Sequence, residues 1–218
     1  YLRIADPYTN KTLDPNDQYI PSTTYPNLLA YPSESTNGIA SVFRTNPENY
    51  TWQVTKFTPP SNEKLVIYEL HIRDFVSESY IKTVKDTLNY LERLGINAIE
   101  LMPISEFEGN DSWGYNPSFY FATDKAYGKP NDYKAFIDDC HSRGIAVIMD
   151  MVLNHSYGQS PLVQMYSTSD GTTLGTPTSD NPWYNVTSPN TSYSWGYDFN
   201  HESPSTQQLV DSITSYWL

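Results

Sequence analysis

Cysteine is nearly absent from this chain. Cys140 stands alone, so no internal disulfide can form and the redox compartment stays open. It falls on one helical face with Phe136 and Ile137, which marks it as a small core residue and not a nucleophile. Cations are scarce: 13 Lys and Arg stand against 25 Asp and Glu, a formal net charge of −12 over 218 residues. They form no basic stripe. That balance argues against nucleic acid and against an anionic membrane as partner, because neither surface would attract it, and it suits a neutral ligand. No apolar run approaches the roughly 18 residues of a membrane span. No signal peptide is visible, and N-x-[ST] triplets at Asn10, Asn49, Asn185 and Asn190 are weak signals in an Asn- and Thr-rich chain. Localisation stays open.

Aromatic residues are abundant. Tyr occurs 19 times and Trp five times, and aromatics make up 15 % of the chain. Such a surplus serves either a Tyr-rich interface or stacking platforms for flat ligand faces such as sugar rings.

Residues 1–60 are rich in Pro, Tyr, Asn and Thr and show no helical period. They predict an irregular, partly β lead-in that packs against the rest of the chain, with Pro59 and Pro60 marking a linker. The pattern then changes. Residues 65–70 predict a strand. Ile81, Val84, Leu88 and Leu91 recur at helical spacing, and Gly95 supplies a stop. Residues 96–102 predict a second strand. Asp132 is placed to cap a helix that buries Phe136, Ile137 and Cys140 and ends at Gly144, and residues 145–152 predict a third strand. This order means an α/β fold with a parallel sheet and right-handed crossovers. Two connections, residues 103–130 and 153–205, are too long for simple loops. Both lie beyond the C-terminal ends of strands, where long insertions tend to carry function. Residues 205–218 open a further helix with Leu209, Ile213 and Trp217 on one side. A parallel barrel needs eight strands, so the chain is expected to be part of a larger protein.

The third strand ends in Asp150-Met151-Val152-Leu153-Asn154-His155. A carboxylate, an amide and an imidazole at the C-terminal end of a parallel strand suggest the active-site rim of a β/α barrel. Other stretches agree in order: Ala5-Asp6-Pro7-Tyr8, LVIYELHIRDF at 65–75, GINAIELMPI at 95–104, SWGYNPSFYFA at 112–122, Ala126-Tyr127-Gly128 and GIAVIMDMVLNH at 144–155. With these motifs the chain resembles the α-amylase superfamily of glycoside hydrolases and transglycosidases, nearest its branching-enzyme, pullulanase and isoamylase side. The resemblance covers most of residues 60–155 and returns at 195–218.

The resemblance implies that residues 61–218 are the first three strand–helix units of a catalytic (β/α)8 TIM barrel, with a long excursion at 153–205. Residues 1–60 would be the tail and linker of an N-terminal β-sandwich-like domain. His155 matches a histidine that hydrogen-bonds the sugar at the cleavage subsite, and Tyr115 a tyrosine that stacks on the same sugar. Asp150 matches a carboxylate that positions an arginine of the next strand, which would lie beyond Leu218; within these residues it is structural support or an unpaired charge. Asn154 is a supporting hydrogen-bonder first and a calcium ligand second. No cofactor is implied apart from that calcium alternative. Glu69 and His71 are expected to point into the barrel, and His141 and His201 to be surface or capping histidines.

The family's nucleophile, acid/base and third aspartate would all lie beyond Leu218, so no catalytic residue is assigned here. The implied ligand is an α-glucan, and the implied reaction is retaining cleavage of an α-glucosidic bond. Water as acceptor gives hydrolysis of starch, glycogen or pullulan-like polymer, and a glucan hydroxyl gives 1,4-α-glucan branching. A non-catalytic glucan-binding piece is the alternative from another class.

Overall fold

The computed structural model describes residues 5–36, 38–46, 48–76, 80–168, 175–192 and 194–218. The lead-in is irregular. Thr12–Leu13 (β1) pairs antiparallel with Ala40–Ser41 (β2). Between them Pro15–Tyr19 forms a 3-10 turn in which Asp14 accepts from the Asn16 amide at 2.6 Å and Asp17 accepts from the Asp14 amide at 3.0 Å. As expected, this segment packs on the later part of the chain. Asp138 accepts from the amides of Gln53 (2.7 Å) and Val54 (2.8 Å) and from the Tyr50 hydroxyl (2.9 Å). Phe57 stacks on His141 at 3.9 Å.

Three parallel strands and the helices between them come next. Ile67–Leu70 (β3) leads into a single turn, Ile72–Phe75 (α1). The helix expected from Ile81 onward is split into Ile81–Asp86 (α2) and Leu88–Leu94 (α3). Thr87 breaks it, its Oγ1 donating back to the Val84 carbonyl at 2.6 Å, a bond that competes with the helical ladder. The apolar stripe survives the break, since Ile81, Val84, Leu88 and Leu91 are all fully buried. Gly95 ends α3 at φ +85°, where a glycine is favoured.

Ala98–Leu101 (β4) is succeeded by an antiparallel pair inside the first long connection, Ser105–Phe107 (β5) and Pro117–Thr123 (β6), which the sequence pattern did not predict. Pro130–Ser142 (α4) buries Phe136 and Cys140 completely and Ile137 only in part. Asp132 does not occupy the cap position. It lies in the first turn, and its carboxylate accepts from the Lys129 amide at 3.0 Å. The third strand, Ala146–Met149 (β7), is shorter than the predicted 145–152, because the ladder ends with the Asp150 amide bonding Leu101 O at 3.0 Å.

The excursion contains His155–Ser156 (β8), Pro161–Gln164 (α5) and Tyr197–Asp198 (β9), and the predicted last helix is Pro204–Trp217 (α6). Strands β3, β4 and β7 form a parallel sheet in that order, with Leu70, Leu101 and Met149 in register. Tyr68, Leu70, Ile99 and Leu101 face the helices and share their core. Alternate residues point the other way, and there Glu69 and Glu100 lie side by side. Glu69 is exposed on that open face, whereas His71 is turned into the core as α1 begins. Among the described residues no fourth strand joins this sheet. A second core, built from Tyr120, Phe121, Leu162, Val163, Tyr184, Phe199, Leu209 and Ile213, folds the excursion onto β6 and α6.

Candidate functional site

The site forms where β7 ends. Asp150 is the first residue past the strand, and His155 opens β8 five residues later. Tyr115 arrives from the β5–β6 connection, which is held tightly. Gly114 sits at φ +90°, and a Cβ there would overlap the Pro103 carbonyl, so no side chain fits. The Ser112 hydroxyl accepts from the Gly114 amide at 2.9 Å and donates to the Asn116 side chain.

All four residues singled out from the sequence meet in one hydrogen-bonded chain. The Tyr115 hydroxyl donates to Asp150 Oδ2 at 2.7 Å. His155 Nε2 lies 2.8 Å from the Tyr115 carbonyl, and its Nδ1 lies 3.1 Å from the Asn154 side-chain oxygen. Asp150 therefore has a hydrogen-bond donor in the tyrosine hydroxyl, which is neutral and does not balance its charge. His155 is buried, so a sugar hydroxyl reaching Nε2 would compete with the Tyr115 carbonyl. Tyr115 itself is 39 % exposed, which leaves ring surface for a ligand.

The electrostatics keep this tyrosine a donor. Burial first, then the bond to Asp150 and the nearby charges of Asp150, Glu69 and Glu100, push the Tyr115 hydroxyl well above its ordinary pKa. A rim carrying these carboxylates suits a polyhydroxyl ligand better than an anion.

A second loop closes on His155. Gly196, at φ +62°, lies so near that a Cβ would meet Ser156 O at 2.5 Å and His155 Cδ2 at 2.8 Å. β9 then pairs with β8, placing Asp198 opposite His155, and the Tyr120 hydroxyl donates to the His155 carbonyl at 2.6 Å. Sequence reasoning missed Gly196 and Tyr120. One signal was present: the tripeptide Trp-Gly-Tyr occurs at 113–115 and again at 195–197. Both glycines have positive φ, and both loops touch His155.

A family model for the α-amylase catalytic domain matches residues 74–217. The chain belongs to the α-amylase family. It is 36 % identical over 154 residues to a malto-oligosyltrehalose trehalohydrolase of Saccharolobus solfataricus, covering 71 % of this chain and 26 % of that protein. It is 31 % identical over 177 residues to the 1,4-alpha-glucan branching enzyme GlgB of Aliivibrio fischeri, covering 77 % of this chain and 23 % of that one. The chain thus spans about a quarter of the length of these curated relatives. Among solved structures, an α-amylase-like protein from Salmonella typhimurium superposes with a TM-score of 0.67 at 30 % identity, covering 84 % of this chain and 28 % of that one. The family fold is the (β/α)8 barrel; among the described residues β3, β4 and β7 form an open three-stranded parallel sheet.

Calcium is common in α-amylases, which makes Asn154 worth testing as a ligand. It does not fit well. Its side-chain oxygen faces His155 and its carbonyl accepts from the Phe199 amide at 2.9 Å. Among the described residues no group of three or more His, Cys, Asp or Glu could hold a metal ion. The two remaining histidines differ in setting. His201 Nε2 lies 2.8 Å from the Leu153 carbonyl, and His141 carries Phe57. No helix among the described residues is long and apolar enough to cross a membrane.

Proposed function

We propose that this chain supplies part of the sugar-binding rim of an α-glucan-active glycoside hydrolase, which cleaves α-glucosidic bonds of starch, glycogen or pullulan-like polymer with retention. One observation carries this reading. Tyr115 presents a half-exposed ring at the C-terminal edge of the parallel sheet, held there by Asp150 and His155. Tyr115 is the stacking platform and His155 a hydroxyl partner of the same sugar, with Asp150 and Asn154 as supports. Retention requires a nucleophile and an acid/base about 5 Å apart. In this reading Asp150 serves neither role and supports Tyr115, whose hydroxyl donates to it, and both groups are assigned to parts of the intact protein outside residues 1–218. Residues 1–60 are read as the tail of a β-sandwich-like domain.

Branching is the second reading, favoured by the likeness to GlgB over 77 % of this chain. The test is incubation of the intact protein with soluble starch, pullulan and malto-oligosyltrehalose, with reducing ends and linkages measured. New reducing ends support hydrolysis. New α-1,6 linkages at constant reducing ends support branching. Saturable maltoheptaose binding with no product of either kind would leave only the glucan-binding role, and absence of both turnover and binding would refute the reading.

A further inference from the structure

Tyr115 can act as a platform only if its loop is held, and the hold comes from residues outside the site. We propose that Tyr127, lodged against His71, is a positioning residue that fixes the sugar-stacking ring of Tyr115 by clamping the Ser112 carbonyl; this inference rests on the stacking reading of Tyr115. The Tyr127 hydroxyl donates to Ser112 O at 2.6 Å, and His71 Nε2 lies 3.1 Å from the same oxygen. His71 Nε2 also lies 2.9 Å from the Tyr127 hydroxyl. Both are nearly buried, His71 at 8 % and Tyr127 at 1 % exposure. Tyr127 packs edge-on against Phe107 and His71 in the first core, so its hydroxyl is delivered by a rigid base.

The clamp is itself braced. His71 Nδ1 lies 3.0 Å from Asp74, Asp74 is bound by Arg73, and Arg73 reaches Asp111, the residue before Ser112. From Ser112 the constraint passes to the ring along a short path. The Ser112 hydroxyl bonds Gly114 and Asn116, the two neighbours of Tyr115. A loop tied to the core at one carbonyl, and tied to itself around the functional residue, moves as a unit when that carbonyl is released.

Tyr127→Phe tests this with little disturbance, because it removes one hydroxyl and keeps the ring. Tyr133→Phe is the control: it too is a buried core tyrosine, and its hydroxyl has no hydrogen-bond partner among the described residues. Maltoheptaose affinity of the intact protein is measured by calorimetry, and amide exchange over residues 110–117 by mass spectrometry. Loss of one hydrogen bond predicts about fivefold weaker binding and about fivefold faster loop exchange for Tyr127→Phe, with wild-type values for Tyr133→Phe. Wild-type affinity or wild-type loop exchange in Tyr127→Phe overturns the clamp. Tyr115→Ala separates the two readings. If it abolishes binding while Tyr127→Phe does not weaken it, stacking stands and the clamp falls. If Tyr115→Ala binds as wild type, the stacking reading itself falls, and the clamp's role in sugar binding falls with it.

Discussion

Lys125 is 4 % exposed and sits among carboxylates. It pairs with Glu106, lies 3.4 Å from both Asp14 and Asp17, and donates to the Thr12 hydroxyl at 3.0 Å. Burial pushes the ammonium toward deprotonation, but Glu106, Asp124, Asp17 and Asp14 outweigh it and raise its pKa above the ordinary value. Removing one partner of a buried ion cluster leaves the others uncompensated, so Lys125→Met is expected to cost about 3–5 kcal/mol, read from chemical denaturation. The same cluster has a pH signature. Burial, acting against the Lys125 charge, raises Asp17 to about 6, whereas an unfolded aspartate titrates at about 4. Between those values the folded state holds a proton that the unfolded state has released. The Asp17 contribution therefore favours folding below this window and is lost as pH rises through it. Asp17→Asn keeps the acceptor for the Asp14 amide, and it is expected to flatten stability against pH between about 4 and 6; an unchanged slope would refute the assignment.

At the scale of elements, the short strands β8 and β9 determine how the excursion meets the site. Their ladder is only two residues long, and Gly196 lets it close against His155. Gly196→Ala adds a Cβ where backbone already lies and places alanine at φ +62°. A cost of about 1–3 kcal/mol is expected, seen as a lower Tm together with weakened maltoheptaose binding. A Tm drop with wild-type binding would show that the ladder supports the fold without setting the site. The elements also show what a sequence hides. The helical stripe through Ile81, Val84, Leu88 and Leu91 was legible because one face is apolar and the other polar. The break at Thr87 was not, since it depends on a side-chain bond and not on the stripe. Strand β6 was missed for a related reason: residues 117–122 are buried on both faces, so no alternation survives to be read.

At the scale of the whole molecule, the lead-in is bound to the β5–β6 region and to α4. Two of its ties are the Lys125 cluster and Asp138, whose carboxylate accepts two backbone amides and one hydroxyl from residues 50–54. Burial pushes Asp138 up, but these donors outweigh it and hold it below its ordinary pKa. Its contribution is thus present above the unfolded pKa and is lost in acid, the opposite sense to Asp17. Asp138→Ala leaves those donors without their acceptor. Cleavage at the exposed Lys56 in limited trypsin digestion is expected to quicken roughly tenfold, and unchanged cleavage would mean that the segment is held by other contacts.

By itself the sequence determined the order of the three parallel strands, the parallel class of their sheet and the family, and it singled out Tyr115, Asp150, Asn154 and His155 as candidates. Each of these is written in spacing or in short motifs, and hydrophobic periodicity and turn residues act over a few positions. Only the tertiary structure decided that the four site residues form one hydrogen-bonded chain, that Asp150 is occupied by Tyr115, that Glu69 lies beside Glu100, and that His71 and Tyr127 meet at Ser112. The physical reason is distance along the chain. Tyr115 and Asp150 are 35 residues apart, His71 and Tyr127 are 56 apart, and Lys125 and Thr12 are 113 apart. Contacts at such separations depend on how the helices pack the sheet and where the connections cross it, and no local pattern records them.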